Sequence, residues 1–512
     1  MRWYSRKSLV STRASLMNEI GGIGFMTNQA GMSLSQGIVA VVLFFLITMA
    51  TSFFASKVRS VNSLEEYLIS GRRVPWPLTT AVLVSAWIFT SSTMGAAESA
   101  LSFGASGLWM YAMYGLSLLT VGLIIPRFKN IADKLGINSL TEFVRNRLDM
   151  KNYYVGLVII WLGSFLTLLF NIGGAGFVIS ALTEGKISYV AGVIILAVIT
   201  LIYVLMGGFW STAITSWVLA LICSLGVVSS IPYIINGAGG LPQVVDAAQR
   251  AAQHLGKPET VSLFNPEGAQ VFLLATVLYG FSAWAVQEWY QPGIASNQHN
   301  LRTGYLMAFV WVVLITVLSG GIGFIGFALV NSGTVPGPAS PSEIYPYLTV
   351  LFAPKWVQFL MLFLVFGAGS GTVAVNLMSQ STLLQGAMEK SGKGQKVTLS
   401  QVRVYIIIAI LVAIAVNIIF TPSVLFMVLL ACTVYASMGV PMLLAIFWSK
   451  VNNDGMFWGV LLGEIAALVL FFVKSPGEGT LWGTLIGGGV TVIWSLLSPK
   501  RFDLEAMRNV EA

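Results

Sequence analysis

The chain has 512 residues, 56% of them hydrophobic and only 9% charged, with a mean hydropathy of +0.81. A soluble chain carries about 25% charged residues, so a cytosolic enzyme is excluded and the lipid bilayer is the expected solvent. The formal charge of +8 is what basic loops of a polytopic protein produce, and no nucleic-acid partner is expected from it.

Residues 1–35 carry Arg2, Arg6, Lys7 and Arg13 ahead of the first apolar run, without the uninterrupted apolar region of a cleaved signal peptide. A disordered leader is expected, or a start placed too early, with Met26 or Met32 as alternatives. A single transmembrane domain is expected over 36–497 and a short cytoplasmic tail over 498–512. At about 20 residues per span, thirteen spans are expected, near 36–56, 75–100, 107–125, 153–180, 187–206, 210–235, 269–293, 305–331, 355–385, 402–420, 423–448, 454–473 and 480–497.

An odd number of spans puts the termini on opposite faces. With the N-terminus outside, the inner loops hold nineteen of the 28 Lys and Arg residues, the outer loops five and the leader four. The positive-inside rule therefore selects N-out, C-in in the cytoplasmic membrane. Cys223 and Cys432 fall inside apolar runs and are expected to pack there; His254 and His299 fall in loops, which leaves no histidine at bilayer depth to relay protons.

Three spans break the apolar pattern. The second reads SAWIFTSSTMGAAES, with Thr90, Ser91, Ser92 and Thr93 in a row before Gly95. Small residues of this kind serve close helix packing; they also suit an unwound point whose carbonyls and hydroxyls hold an ion or solute. Glu98, one turn on, favours a cavity if it lies within the span and an interface if the span ends earlier. The seventh expected span reads LYGFSAWAVQEWYQPG, where Gly280, Ser282, Gln287, Glu288 and Gln291 interrupt an aromatic run that Pro292 is expected to end. Two interrupted spans five helices apart fit an inverted repeat with the solute between them, while Trp289 and Tyr290 alone would fit an interfacial aromatic belt. The ninth holds FGAGSGTVAVNLMSQSTLL. Its glycines could serve packing, but its many hydroxyls and amides favour a site, since Ala368, Gly371 and Thr372 lie within one turn and can converge on a desolvated monovalent cation.

These stretches carry a family resemblance. SLEEYLISGRRVPWPLTTAVLVSAWIFTSSTMGAAESALSFGASGLW resembles the opening signature of the sodium:solute symporter family, and INSLTEFVRNRL, MGGFWSTAITSW and VPMLLAIFWSK resemble three of its later segments in order. The resemblance spans about residues 36–475. It implies an all-α, leucine-transporter-type five-plus-five inverted repeat with one preceding and two following helices. It also implies sodium as the coupling ion for uptake of a small polar organic solute by alternating access. Carried over by motif, the sodium positions are Ser85 and Ile88 on one side and Ala368, Gly371 and Thr372 on the other. Position 371 departs from the family's frequent serine, for which Ser370 is a substitute.

Solute contacts are expected from Trp87, Phe89, Thr90, Glu98, Asn171, Phe281, Ser282, Trp284 and Gln287. Thr215 is followed by Ser216 where the family often has an aspartate that helps hold a second sodium ion, so one coupling ion is expected. The family's glutamine-arginine pair becomes Gln291 and Pro292, which implies a different inner gate. The alternative from another class is a transporter-like sensor that signals solute binding to a separate protein. No HExxH, GxSxG or paired-carboxylate spacing points to an enzyme.

Overall fold

In the computed structural model the described residues are 30–59, 63–88, 90–264, 272–390, 396–498 and Phe502. The expected leader, apart from residues 30–35, and most of the expected tail lie outside them. The first helix, α1 (Leu34–Val58), opens on a capping box between Ser33 and Gln36, which satisfies two otherwise orphaned donors. A short α2 (Leu64–Ile69) is capped by Ser63. Next comes α3 (Trp76–Trp87), which stops at Ile88, where φ −83° and ψ 66° leave the helical region. The chain resumes through a π turn, Ser91–Gly95, into α4 (Ala96–Phe103). A turn at Gly104 then leads to α5 (Leu108–Ala112) and α6 (Tyr114–Leu135).

Beyond α7 (Leu140–Arg147) and α8 (Met150–Leu182), α9 runs from Tyr189 to Gly237 with non-helical dihedrals at Gly208, φ 54° and ψ −144°. A straight helix of 49 residues would be about 70 Å long against a hydrocarbon core of about 30 Å, so the break is needed, and its dihedrals are open to glycine. The amphipathic α10 (Leu241–Leu255) follows. Residues 272–285 pass through a π turn, Thr276–Phe281, and a tight turn, Ser282–Ala285, before Val286 goes extended and α11 (Gln287–Ala295) begins. Then come α12 (Leu301–Asn331), α13 (Ile344–Phe352), α14 (Lys355–Lys390), α15 (Leu399–Phe420), α16 (Val424–Phe447), α17 (Asn453–Val473) and α18 (Pro476–Leu497).

Among the described residues ten helices are long and apolar enough to cross a membrane, where hydropathy suggested thirteen segments. The difference arises where spans join or break: α9, kinked at Gly208, and the stretch Ser92–Leu135, which turns at Gly104, each count as one where two were expected, and the breaks beside Ile88 and Val286 leave shorter pieces. The apolar window of α14 is 89% buried, against 28% for α1. Hence α14 is central, packed on α9, α8 and α3, while α1, α15 and α17 turn residues such as Leu46, Ile408 and Ile465 outward, as lipid-facing helices do. Two expectations are corrected here. Pro292 lies inside α11 rather than ending it. Trp289 and Tyr290 are buried, so they form no interfacial belt; α11 packs against α6 and α3.

Candidate ion and solute site

The break after α3 is held from two sides. Thr90 N donates to Asn171 Oδ1 at 3.1 Å and Thr90 Oγ1 to the Asn171 carbonyl at 3.3 Å, so the asparagine supplies acceptors that an unbroken helix would have provided. The threonine fits because its neighbours lack side chains. A Cβ at Gly174 would lie 2.0 Å from Thr90 Cγ2, and one at Gly369 would lie 3.1 Å from Thr90 Oγ1. Thr90 and Asn171 thus fasten the break to α8, close against α14 at Gly369.

Just below the break α3 meets α14. Thr372 Oγ1 is 2.8 Å from the Ser85 carbonyl and 3.0 Å from the Ala368 carbonyl. Ser85 Oγ is buried without a hydrogen-bond partner and occupies the space of a side chain at Gly371, where a Cβ would lie 1.8 Å away. Two carbonyls and two hydroxyls from a helix end and a facing turn therefore converge in a buried place. A set of neutral oxygens suits a hard monovalent cation, whereas divalent sites draw on carboxylates. Ser370 does not join this set, because its hydroxyl donates to the Gly367 carbonyl and its own carbonyl accepts from Tyr203; its expected substitution for a serine at 371 is corrected. Thr215 Oγ1 and Ser216 Oγ on α9 are buried and unpartnered as well.

A small cavity of about 40 Å³ lies between the broken helices, α8, α14 and α16. Its polar wall includes Ser282, Glu288, Asn376 and Cys432, and its aromatic wall includes Tyr279, Trp289 and Tyr435. Trp87 stacks on Trp289 with centroids 3.9 Å apart and leans on Tyr114 at 4.2 Å. The last residue of α3 and the third of α11 thus join the two breaks through their rings. Polar contacts run from this wall to the helix turn that carries Thr372: Ser164 Oγ lies within hydrogen-bond distance of both Glu288 Oε1 and Asn376 Oδ1 and donates to one at a time, and Asn376 Nδ2 donates to the main-chain carbonyl of Thr372 at 3.0 Å.

The expected solute residues divide. Ser282 lines the cavity and Trp87 backs its wall. Thr90 and Asn171 hold the break instead. Phe281 and Trp284 pack edge to face on each other and are not among the lining residues. Gln287 is occupied elsewhere, accepting from Leu140 N at 2.8 Å and donating toward Asn138 O and Thr382 Oγ1. Glu98 is buried within the fold, but Ser342 from the connection after α12 donates to it at 2.6 Å, and it does not line the cavity. Phe89 lies outside the described residues. Cys432, expected only to pack, is a wall residue, whereas Cys223 packs and points its thiol at the Leu364 carbonyl.

Glu288 and Asn376 were legible as polar residues within their spans and Trp289 as a belt aromatic, but none as a cavity wall. The spacing of four between Thr372 and Asn376 was the available signal. At the end of α11 a cation does arrive, though not from position 292: Lys129 Nζ donates to the Ile294 carbonyl at 2.8 Å and to Asp133 at 2.7 Å, and Arg72 joins Asp133 at 2.8 Å.

Comparison with known proteins supports the same grouping. The family model described as Sodium:solute symporter family matches residues 67–463. A sodium/proline symporter of Salmonella typhimurium is 23% identical over 445 residues, covering 80% of this chain and 83% of that protein. One from Staphylococcus aureus is 24% identical over 467 residues, covering 85% of each. Among solved structures, a substrate-bound outward-open Na+-coupled sialic acid symporter superposes with a TM-score of 0.76 at 16% identity, covering 91% of this chain and 98% of that one. Mhp1, a nucleobase-cation-symport-1 family transporter, gives 0.56 at 15% identity, covering 88% and 99%. The fold is the leucine-transporter-type inverted repeat.

Proposed function

The chain belongs to the sodium:solute symporter family, and from that premise we propose that it imports a small polar organic solute across the cytoplasmic membrane with sodium, by alternating access, its N-terminus outside and its C-terminus inside. The observation that carries this reading is the convergence of the Ser85 and Ala368 carbonyls on Thr372 Oγ1, beside the unpartnered Ser85 hydroxyl. Sodium there would draw α3 and α14 together and fix the broken segment, including Ile88, over the cavity. The Thr372 hydroxyl, which lies within hydrogen-bond distance of both carbonyls and donates to one of them, would turn its lone pairs to the ion. Solute would enter the cavity between Trp289, Ser282 and Asn376. That space holds only a few waters, so a compact solute fits, and a larger one would part the Trp87–Trp289 stack. Ser216 offers no charge to balance a second cation, and one sodium ion accompanies each solute molecule.

Thr372→Ala tests the assignment. Losing one hydroxyl ligand from a buried cation costs on the order of 1–3 kcal/mol, a five- to hundredfold rise in the sodium concentration for half-maximal uptake in proteoliposomes. An unchanged sodium dependence would sink this site, and uptake driven by a proton gradient without sodium would sink the reading as a whole.

A further inference from the structure

We propose that the transported solute presents a positively charged nitrogen, an organic ammonium group, and that Glu288 with the aromatic cavity wall selects it. This rests on the reading above for where the solute binds, and extends it to a charge class. Glu288 is the second residue of α11, 3% exposed, and lines the cavity. Ser164 bonds its Oε1, and Oε2 receives no hydrogen bond. Among the described residues no Lys or Arg forms an ion pair with it. A carboxylate withdrawn from water without a cation is strongly unfavourable. Such a carboxyl holds its proton until a cation arrives, and an ammonium group on the solute supplies that cation.

The rest of the wall fits that charge. Tyr114, Phe170, Tyr279, Trp289 and Tyr435 line the same space, and ring faces attract ammonium groups, most strongly where water is excluded. A sugar or polyol of similar size would need many directed donors and acceptors, and an anion would meet the carboxylate. Sodium already has the neutral oxygen cluster at Ser85 and Thr372, and a wall with five aromatic rings suits a polyatomic nitrogen cation better than a compact metal ion. A nitrogen cation is satisfied by one carboxylate oxygen and π faces.

Two matched pairs test the proposal on the full-length protein in lipid nanodiscs with sodium. Choline is compared with 3,3-dimethyl-1-butanol, in which carbon replaces the charged nitrogen. Proline is compared with cyclopentanecarboxylate, which keeps the ring and carboxylate but lacks the ammonium. At least one ammonium compound should bind tenfold or more tightly than its isostere, choline pointing to an organic amine and proline to a zwitterionic amino acid. Glu288→Gln should abolish that preference while sodium still stabilises the protein, and Glu288→Asp should keep part of it. The proposal is overturned if both isosteres bind as well as the ammonium compounds, if none of the four binds, or if Glu288→Gln keeps the preference. Should the glutamine variant not fold, the wild-type pairs decide alone. Absence of any sodium stabilisation of the wild type would instead count against the transport reading.

Discussion

Gly371 and Ser85 show how one absent side chain makes room for a hydroxyl. With a Cβ at 371 only 1.8 Å from Ser85 Oγ, Gly371→Ala must push the serine aside or part α3 from α14, at a cost of about 1–3 kcal/mol. Ser85→Ala removes the clashing atom, although the Ser85 Cβ would still stand 3.2 Å from the new methyl. The double variant should therefore melt above Gly371→Ala alone, with a coupling of about 0.5–3 kcal/mol in a mutant cycle. Strictly additive melting shifts would mean that the two side chains do not share this space. Residue chemistry also sets what the sequence could reveal. Thr372 was legible because its partner Ala368 lies one turn away on the same helix. Glu288 was visible as an interruption, but its position on the cavity wall depends on Ser164, 124 residues distant, and local spacing carries no such information.

At the scale of elements, the connection between α12 and α14 closes over α4. Ser342 within it binds Glu98, and Glu343 beside it is partly buried outside the spanning helices. Burial raises the Glu343 carboxyl to about 7, opposed by a backbone hydrogen bond from Ser340. The folded state then holds a proton that the unfolded chain releases near pH 4.5. Stability contributed by this group is complete below that lower value and is lost as pH rises to about 7. Melting temperature should fall over this window, by the equivalent of roughly 1–3 kcal/mol, and Glu343→Gln should flatten the dependence. An equal slope in wild type and variant would assign it to another group. The helices themselves were largely legible, because long runs of Leu, Ile, Val and Phe mark them. Their breaks were legible as polar interruptions only. The dihedral change at Ile88 is sustained by Asn171, Gly174 and Gly369, which the chain brings in from two other helices.

For the whole molecule, the proposed orientation follows from nineteen basic residues in the inner loops against five in the outer. Asn130 on α6 and Gln253 on α10 are both exposed, so single cysteines at either position can report sidedness. In intact cells an impermeant thiol reagent should label position 253 and spare 130; the reverse pattern would invert the orientation. Residue Phe502 and the end of α16 are tied to α7 through Arg147, which donates to the Ala445, Trp448 and Val451 carbonyls and carries Phe502 against its guanidinium at 4.2 Å. Burial lowers this guanidinium to about 10, so it keeps its charge at neutral pH.

The chain of polar contacts from Glu288 through Ser164 and Asn376 to Thr372 has a thermodynamic consequence. Two ligands that bias one network must do so reciprocally: whatever factor sodium adds to solute affinity, solute adds to sodium affinity. Asn376→Ala interrupts the chain between its two ends without removing either Thr372 or Glu288. Sodium measured alone should then bind with little change and solute alone, which loses a cavity-wall contact, more weakly, while the factor by which one strengthens the other drops toward unity in both directions. A large loss for one ligand, with the mutual enhancement intact, would show that Asn376 belongs to a single site and carries no exchange between them.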